Sequence, residues 1–152
     1  ASRYARFLSP MRALPQGLLE RFTHIDYSAH VALVAEVFAD GRETVIAEAR
    51  YARLDDGESA EFAVSVAEDW QGAGLARLLL DKLECRAASA GIKRLTGETL
   101  SSNDRMIRFA QRAGFSARRS LDTRGVMRLE KVLETASSQR SCTEAERTAA
   151  AA

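Results

Sequence analysis

The feature that most constrains the fold is a glycine-containing turn at residues 71–74, with the sequence QGAG. It follows an apolar run at residues 59–67 in which alternate side chains are apolar, a pattern typical of a strand. It precedes residues 75–90, where apolar residues recur every four positions and predict a helix with one buried side. Gly91 is typical of the residue that ends a helix. The pattern predicts a strand, a tight turn and a helix in direct succession.

A turn of this kind can bind an anion. The first N–H groups of a helix have no hydrogen-bond partner within the helix, and the helix dipole is positive at that end. Gly72 and Gly74 let the backbone come close to a phosphate, and successive N–H groups can surround it. The alternative is a plain connection that needs its glycines only for geometry. The turn alone leaves both interpretations open.

The remaining pattern predicts an α+β domain. Strands are predicted at residues 30–39, 44–54 and 59–67, and the Asp40-Gly41 pair favours a hairpin between the first two. The later elements are the helix at 75–90, a strand at 92–100, a helix at 104–113, and strands at 115–121 and 126–132. A short helix at 16–22 precedes them all. The order βββαβαββ after that helix indicates a mostly antiparallel sheet flanked by helices.

Bulk properties exclude several classes of protein. A chain of 152 residues has the size of one domain, and its net charge of +1 argues against a dedicated nucleic-acid binder. No apolar run reaches the roughly 18 residues that a membrane span needs. The two cysteines, Cys85 and Cys142, lack metal-ligand spacing, and so few cysteines favour a reducing cytoplasm. We therefore expect a cytoplasmic domain without metal, membrane or nucleic-acid partners.

The spacing of the turn residues resembles that of a known family. The segment from Gln71 to Ala76 matches the pattern (Q/R)-x-x-G-x-(G/A) of the GCN5-related N-acetyltransferases, or GNAT family. Asn103, with Gly114-Phe115 eleven residues later, is similar to a second motif of that family. Segments at 21–27, 60–64 and 69–72 resemble the bacterial protein lysine acetyltransferases. The resemblance runs from about residue 4 to residue 132.

The resemblance implies a fold, a donor and an acceptor. It implies the GNAT fold, with a sheet that splays where acetyl-CoA enters, and direct transfer of the acetyl group to an amine without a metal. In the resembling group the amine is a protein lysine, for instance on an acyl-CoA synthetase. Two alternatives remain, which are a small-amine or antibiotic acetyltransferase and a CoA-binding regulatory domain with little activity.

The resemblance also implies roles for individual residues. Glu61 is expected to be the general base, since a lysine ammonium must lose a proton before it attacks a thioester. A carboxylate half desolvated by the sheet can accept that proton; a glutamate on the solvent face is the alternative. The expected donor-binding residues are Val64, Val66, Gln71, Gly72, Ala73, Gly74, Leu75, Ala76, Asn103 and Arg112. The Val64 N–H can also stabilise the thioester oxygen as charge develops.

One position departs from the family pattern. Many members carry a tyrosine seven residues after the asparagine, as the acid that protonates the leaving thiolate, and this chain has Ala110 there. We expect residues 1–133 to form the domain without the first strand that family members usually have. Residues 134–152 are expected to be a frayed or helical tail. Arg118, Arg119 and Arg124 could face an acidic partner or simply be solvated.

Overall fold

A computed structural model describes residues 29–39 and 41–133. The predictions of a helix at 16–22, of a domain without the usual first strand and of a tail at 134–152 concern residues outside these ranges. The strands are β1 (His30–Ala39), β2 (Arg42–Arg53), β3 (Ser59–Val66), β4 (Arg94–Leu100), β5 (Ser116–Arg119) and β6 (Val126–Val132). The helices are a short 3-10 helix (Glu68–Trp70), α1 (Leu75–Ser89) and α2 (Asp104–Arg112).

The described strands form one sheet in the order β1-β2-β3-β4-β6-β5. All neighbours are antiparallel except β3 and β4, which are parallel. β3 and β4 can be parallel because α1 runs back along the sheet and returns the chain to the end at which β3 begins. The expected α+β fold with a mixed, mostly antiparallel sheet is thus confirmed.

Both α-helices pack on one face of the sheet. The core on this face joins alternate residues of the central strands to α1, with Leu80, Leu83, Ile92, Leu95 and Leu129 almost fully buried. The Phe62 ring lies 4.7 Å from the Phe115 ring between their centroids, which ties β3 to the segment after α2. We call the other side, which no described helix covers, the open face. It carries Glu61, Glu98 and Arg128.

Several element bounds differ by one or two residues from the sequence predictions. β5 begins at Ser116 and not at residue 115, because the Phe115 N–H donates to the carbonyl of Ala110 and closes α2 (2.9 Å). The 3-10 helix before the turn was not predicted. The cytoplasmic location stays a prediction.

Candidate active site

A cleft opens between β3 and β4. The parallel ladder has only three residue pairs, and it ends with Glu61 opposite Thr96. Beyond that point β3 stays paired with β2 as far as Val66, and β4 stays paired with β6 as far as Leu100. The two halves of the sheet therefore separate, and a cavity of about 350 Å³ lies between them.

The cleft exposes backbone groups of β3. Ser59 accepts a hydrogen bond from the Leu54 N–H and Ala67 donates one to the Ile46 carbonyl, both 2.8 Å, so these residues bond towards β2. Backbone groups alternate in direction along a strand. Those of Val64 consequently point into the cleft, where β4 is no longer paired. An extended chain such as a pantetheine arm can bind there as an added strand.

The glycine turn lies at the end of β3. Gly72 and Gly74 have φ values of 92° and 84°, a left-handed conformation that glycine adopts without strain. Gly74 is the N-cap of α1, and its carbonyl accepts from the N–H groups of Arg77 and Leu78. The N–H groups of residues 72–76 lie before these bonds and are available to an external acceptor. The geometry is that of an anion-binding helix start.

Gln71 connects the turn to the cleft. Its side-chain Nε2 donates to the Val66 carbonyl at 3.1 Å, and its Oε1 accepts from Nη1 of Arg105. Arg105 belongs to the first turn of α2. Gln71 and Arg105 therefore form a bridge from the end of β3 to α2, and both residues line the cavity.

Asn103 holds the start of α2. Its Oδ1 accepts from the Met106 N–H as an N-cap, and its Nδ2 donates to Oγ1 of buried Thr99, both at 3.2 Å. The amide thereby fixes α2 against the end of β4, on the cleft side. In the structure, Asn103 therefore positions the start of α2 as part of the cleft wall.

Arg112 lies at the opposite end of α2, close to the first turn of α1. The Arg112 carbonyl accepts from Nη1 of Arg77 at 3.2 Å. Arg77 also pairs with Asp81 at 2.9 Å, and this hydrogen bond raises the pKa of the Arg77 guanidinium. The Arg112 side chain is exposed and ion-pairs with no residue in the described part of the chain, so Arg112 is the more available cation of the two.

Glu61 lies on the open face at the apex of the cleft. Its neighbours Ala60 and Phe62 are buried in the core, and because side chains alternate along a strand, Glu61 points to the opposite side. The residue is exposed, and partial desolvation of its carboxylate by the sheet stays a prediction. Its carboxylate is open to an incoming acceptor or to water. It lies beside Phe62, which lines the cavity.

The structure also defines what is absent from the cleft wall. Ala110 is fully buried in the core, so the position of the usual acid faces packed side chains. No tyrosine or cysteine lines the cavity within residues 29–39 and 41–133. In the same ranges, no cluster of three or more potential ligands could hold a metal, and no helix is long and apolar enough to span a membrane.

The structure adds cavity residues that the sequence did not indicate. Glu48 and Arg50 of β2 lie on one wall and form an ion pair at 3.5 Å. Glu98 lies on the other wall, 3.9 Å from Arg128. Glu48 and Glu98 therefore each have a basic partner, whereas Glu68, which also lines the cavity, forms no ion pair with the described residues. Sequence pattern alone could not place them, because β2 and β4 are far apart in the chain.

A family comparison agrees with this geometry. Residues 4–115 match the Acetyltransferase (GNAT) family. The chain belongs to this family. GNAT acetyltransferases use acetyl-CoA as the donor, as the resemblance implied.

Individual relatives are similar over most of this GNAT domain. The GNAT domain of S. lividans PAT shares 36% identity and a TM-score of 0.75, covering 87% of this chain and 77% of that chain. An acetyltransferase of Pseudomonas aeruginosa is 31% identical over 122 residues, or 80% of this chain. The acetyltransferase Pat of Mycolicibacterium smegmatis is 34% identical over 112 residues, or 73% of this chain. The matches span only 66% and 33% of the last two proteins.

Proposed function

We propose that this GNAT domain transfers the acetyl group of acetyl-CoA directly to the side-chain amine of a protein lysine. The observation that carries the proposal is the separation of β3 from β4 immediately after Glu61 and Thr96. This separation leaves the backbone of β3 exposed all the way from the candidate base, Glu61, to the anion-binding turn. A thioester bound along β3 would have its acyl end near Glu61 and its phosphates at residues 72–76.

Glu61 supplies the proton transfer in this proposal. The incoming ammonium approaches from the open face and gives a proton to the Glu61 carboxylate, directly or through water. The free amine then attacks the thioester carbon, and the Val64 N–H stabilises the developing oxyanion. The nitrogen of the tetrahedral intermediate loses its second proton to water, and the intermediate collapses to an amide and the CoA thiolate. Water protonates the thiolate, whose parent thiol has a pKa near that of cysteine, about 8.5.

The charge pattern of the cleft favours a protein acceptor over a small cationic amine. A small polyamine or aminoglycoside binds best to several acids that lack basic partners. Of the three acids that line the cavity, Glu48 and Glu98 are compensated by Arg50 and Arg128, and Glu68 alone forms no ion pair with the described residues. A lysine presented by a folded partner needs fewer local contacts, because the partner surface does much of the positioning. The relatives named PAT and Pat support the same choice, because PAT stands for a protein acetyltransferase.

Arginines near the sheet edge suit an acidic partner. Arg118 lies opposite Arg128 across the β5–β6 ladder, and both are exposed. Arg128 already pairs with Glu98 and Asp122, so Arg118 is the cation of this pair that an acidic partner would compensate. Such contacts would raise the association rate at low salt.

The test is an acceptor screen. Release of free CoA thiol from acetyl-CoA is measured with a purified acyl-CoA synthetase, polyamines, aminoglycosides and free amino acids, and acetylated lysine is located by mass spectrometry. We expect the protein acceptor to give the highest kcat/KM. A far higher kcat/KM for a small amine would contradict the lysine proposal. CoA binding without turnover on any acceptor would instead indicate a regulatory domain.

A further inference from the structure

Arg105 stands out among the cavity residues because of where its charge lies. It is the second residue of α2, and the positive end of the helix dipole disfavours a cation in the first turn. Its side chain is exposed and makes no ion pair in the part of the chain that the structure describes. The hydrogen-bond partner that holds it is the neutral amide of Gln71. A cation in this position interacts unfavourably with the helix dipole, and no ion pair among the described residues compensates for it.

The placement becomes reasonable when an anion occupies the neighbouring turn. Gln71 directly precedes Gly72, so its hydrogen bond holds the Arg105 guanidinium beside the start of the anion-binding backbone. The guanidinium has five donors, and Gln71 uses the Nη1 group. Free donors therefore remain for a second acceptor. Glu68 also lines the cavity, but no ion pair joins it to Arg105.

We infer that Arg105 is an additional donor-binding residue, whose guanidinium contacts the diphosphate of CoA while Gln71 holds it in place. The inference rests on the proposed function, since it assumes CoA in the cleft. The planar fork of arginine suits phosphate oxygens. Gln71 also donates to the Val66 carbonyl, so its hydrogen bond to Arg105 keeps the Arg105 guanidinium aligned with the end of β3.

The experiment compares ligands with and without phosphate. Calorimetry measures the binding of CoA and of pantetheine, which lacks the diphosphate, to the wild-type chain and to Arg105→Met. We expect Arg105→Met to weaken CoA binding about tenfold, the effect of one charge-assisted contact at an exposed site. Pantetheine affinity should not change. Arg105→Lys should recover part of the loss, because it keeps the charge.

Arg108→Met is the matched control, since Arg108 is exposed on the same helix and does not line the cavity. It should bind CoA like the wild type. Equal losses for CoA and pantetheine in Arg105→Met would overturn the inference, because the effect would then come from the shape of the cleft. Unchanged CoA affinity would also overturn it and would leave the proposed function intact. Failure of the wild-type chain to bind CoA would instead refute the proposed function.

Discussion

Glu61 and Thr96 form the last residue pair between β3 and β4, and the donor cleft begins at the next residue of each strand. The β3–β4 ladder therefore holds the backbone of the candidate base, Glu61, while the cleft opens directly after it. This arrangement holds the carboxylate in place without closing it off from an acceptor. It makes the role of Glu61 separable from the binding of the donor.

Glu61→Gln should keep CoA affinity and lower turnover about 10²- to 10⁴-fold, the usual contribution of general acid–base catalysis. Part of the loss should be regained at high pH, where more of the acceptor lysine is already the free amine. Thiol release against pH and calorimetry with CoA measure the two effects. Glu43→Gln is the control, an exposed glutamate on β2 outside the cavity. Near-normal turnover of Glu61→Gln at neutral pH would show that Glu61 is only a surface residue.

Gly74→Asp should abolish CoA binding. A carboxylate at the N-cap of α1 would repel the phosphates and would occupy the positive helix end that they need. The φ of 84° adds strain for any side chain, although a Cβ there meets no atom within 4 Å. Gly57→Asp separates the two effects, because Gly57 has a φ of 70° and similar open space far from the cleft. Both variants should lose similar stability, but calorimetry should show lost CoA affinity in Gly74→Asp alone.

The sequence predicted local elements better than their relative placement. The ends of β1 and β6 match the prediction, because alternation and turn signals are local. The cleft was implied only by resemblance, since a three-pair parallel ladder depends on how α1 packs and not on a pattern within β3. Arg105 was missed for the same reason. A cation two residues after an N-cap was the available signal, but its partner Gln71 is 34 residues away.

Glu84 should make the stability of the fold depend on pH. Its Oε2 pairs with Lys131 at 2.6 Å, while its buried Oε1 has no hydrogen-bond partner among the described residues. Burial raises the pKa of Glu84 above 4.5, and its effect outweighs the opposing effect of Lys131. The folded state then binds a proton more tightly than the unfolded state. This contribution to stability is present below about pH 4.5 and is lost as the pH rises through the folded-state pKa.

Glu84→Gln removes this titration and keeps the side-chain shape. Relative to the wild type, its free energy of unfolding should therefore rise from acidic to neutral pH and then level off. Urea unfolding at a series of pH values measures the difference. Parallel stability curves for Glu84→Gln and the wild type would mean that burial does not control this carboxyl.

Gly97→Ala should destabilise the domain by steric conflict beside the cleft. A Cβ at Gly97 would lie 2.8 Å from Cε1 and 3.1 Å from the backbone oxygen of Phe62. The ring is buried against Phe115 and has little room to move. We expect a loss of about 1–3 kcal/mol, typical of overpacking a core, measured by urea unfolding. Phe62→Leu shortens the side chain, so Gly97→Ala should cost less in that background than in the wild type. Additive losses in this double-mutant cycle would show that the Phe62 ring is not the source of the conflict.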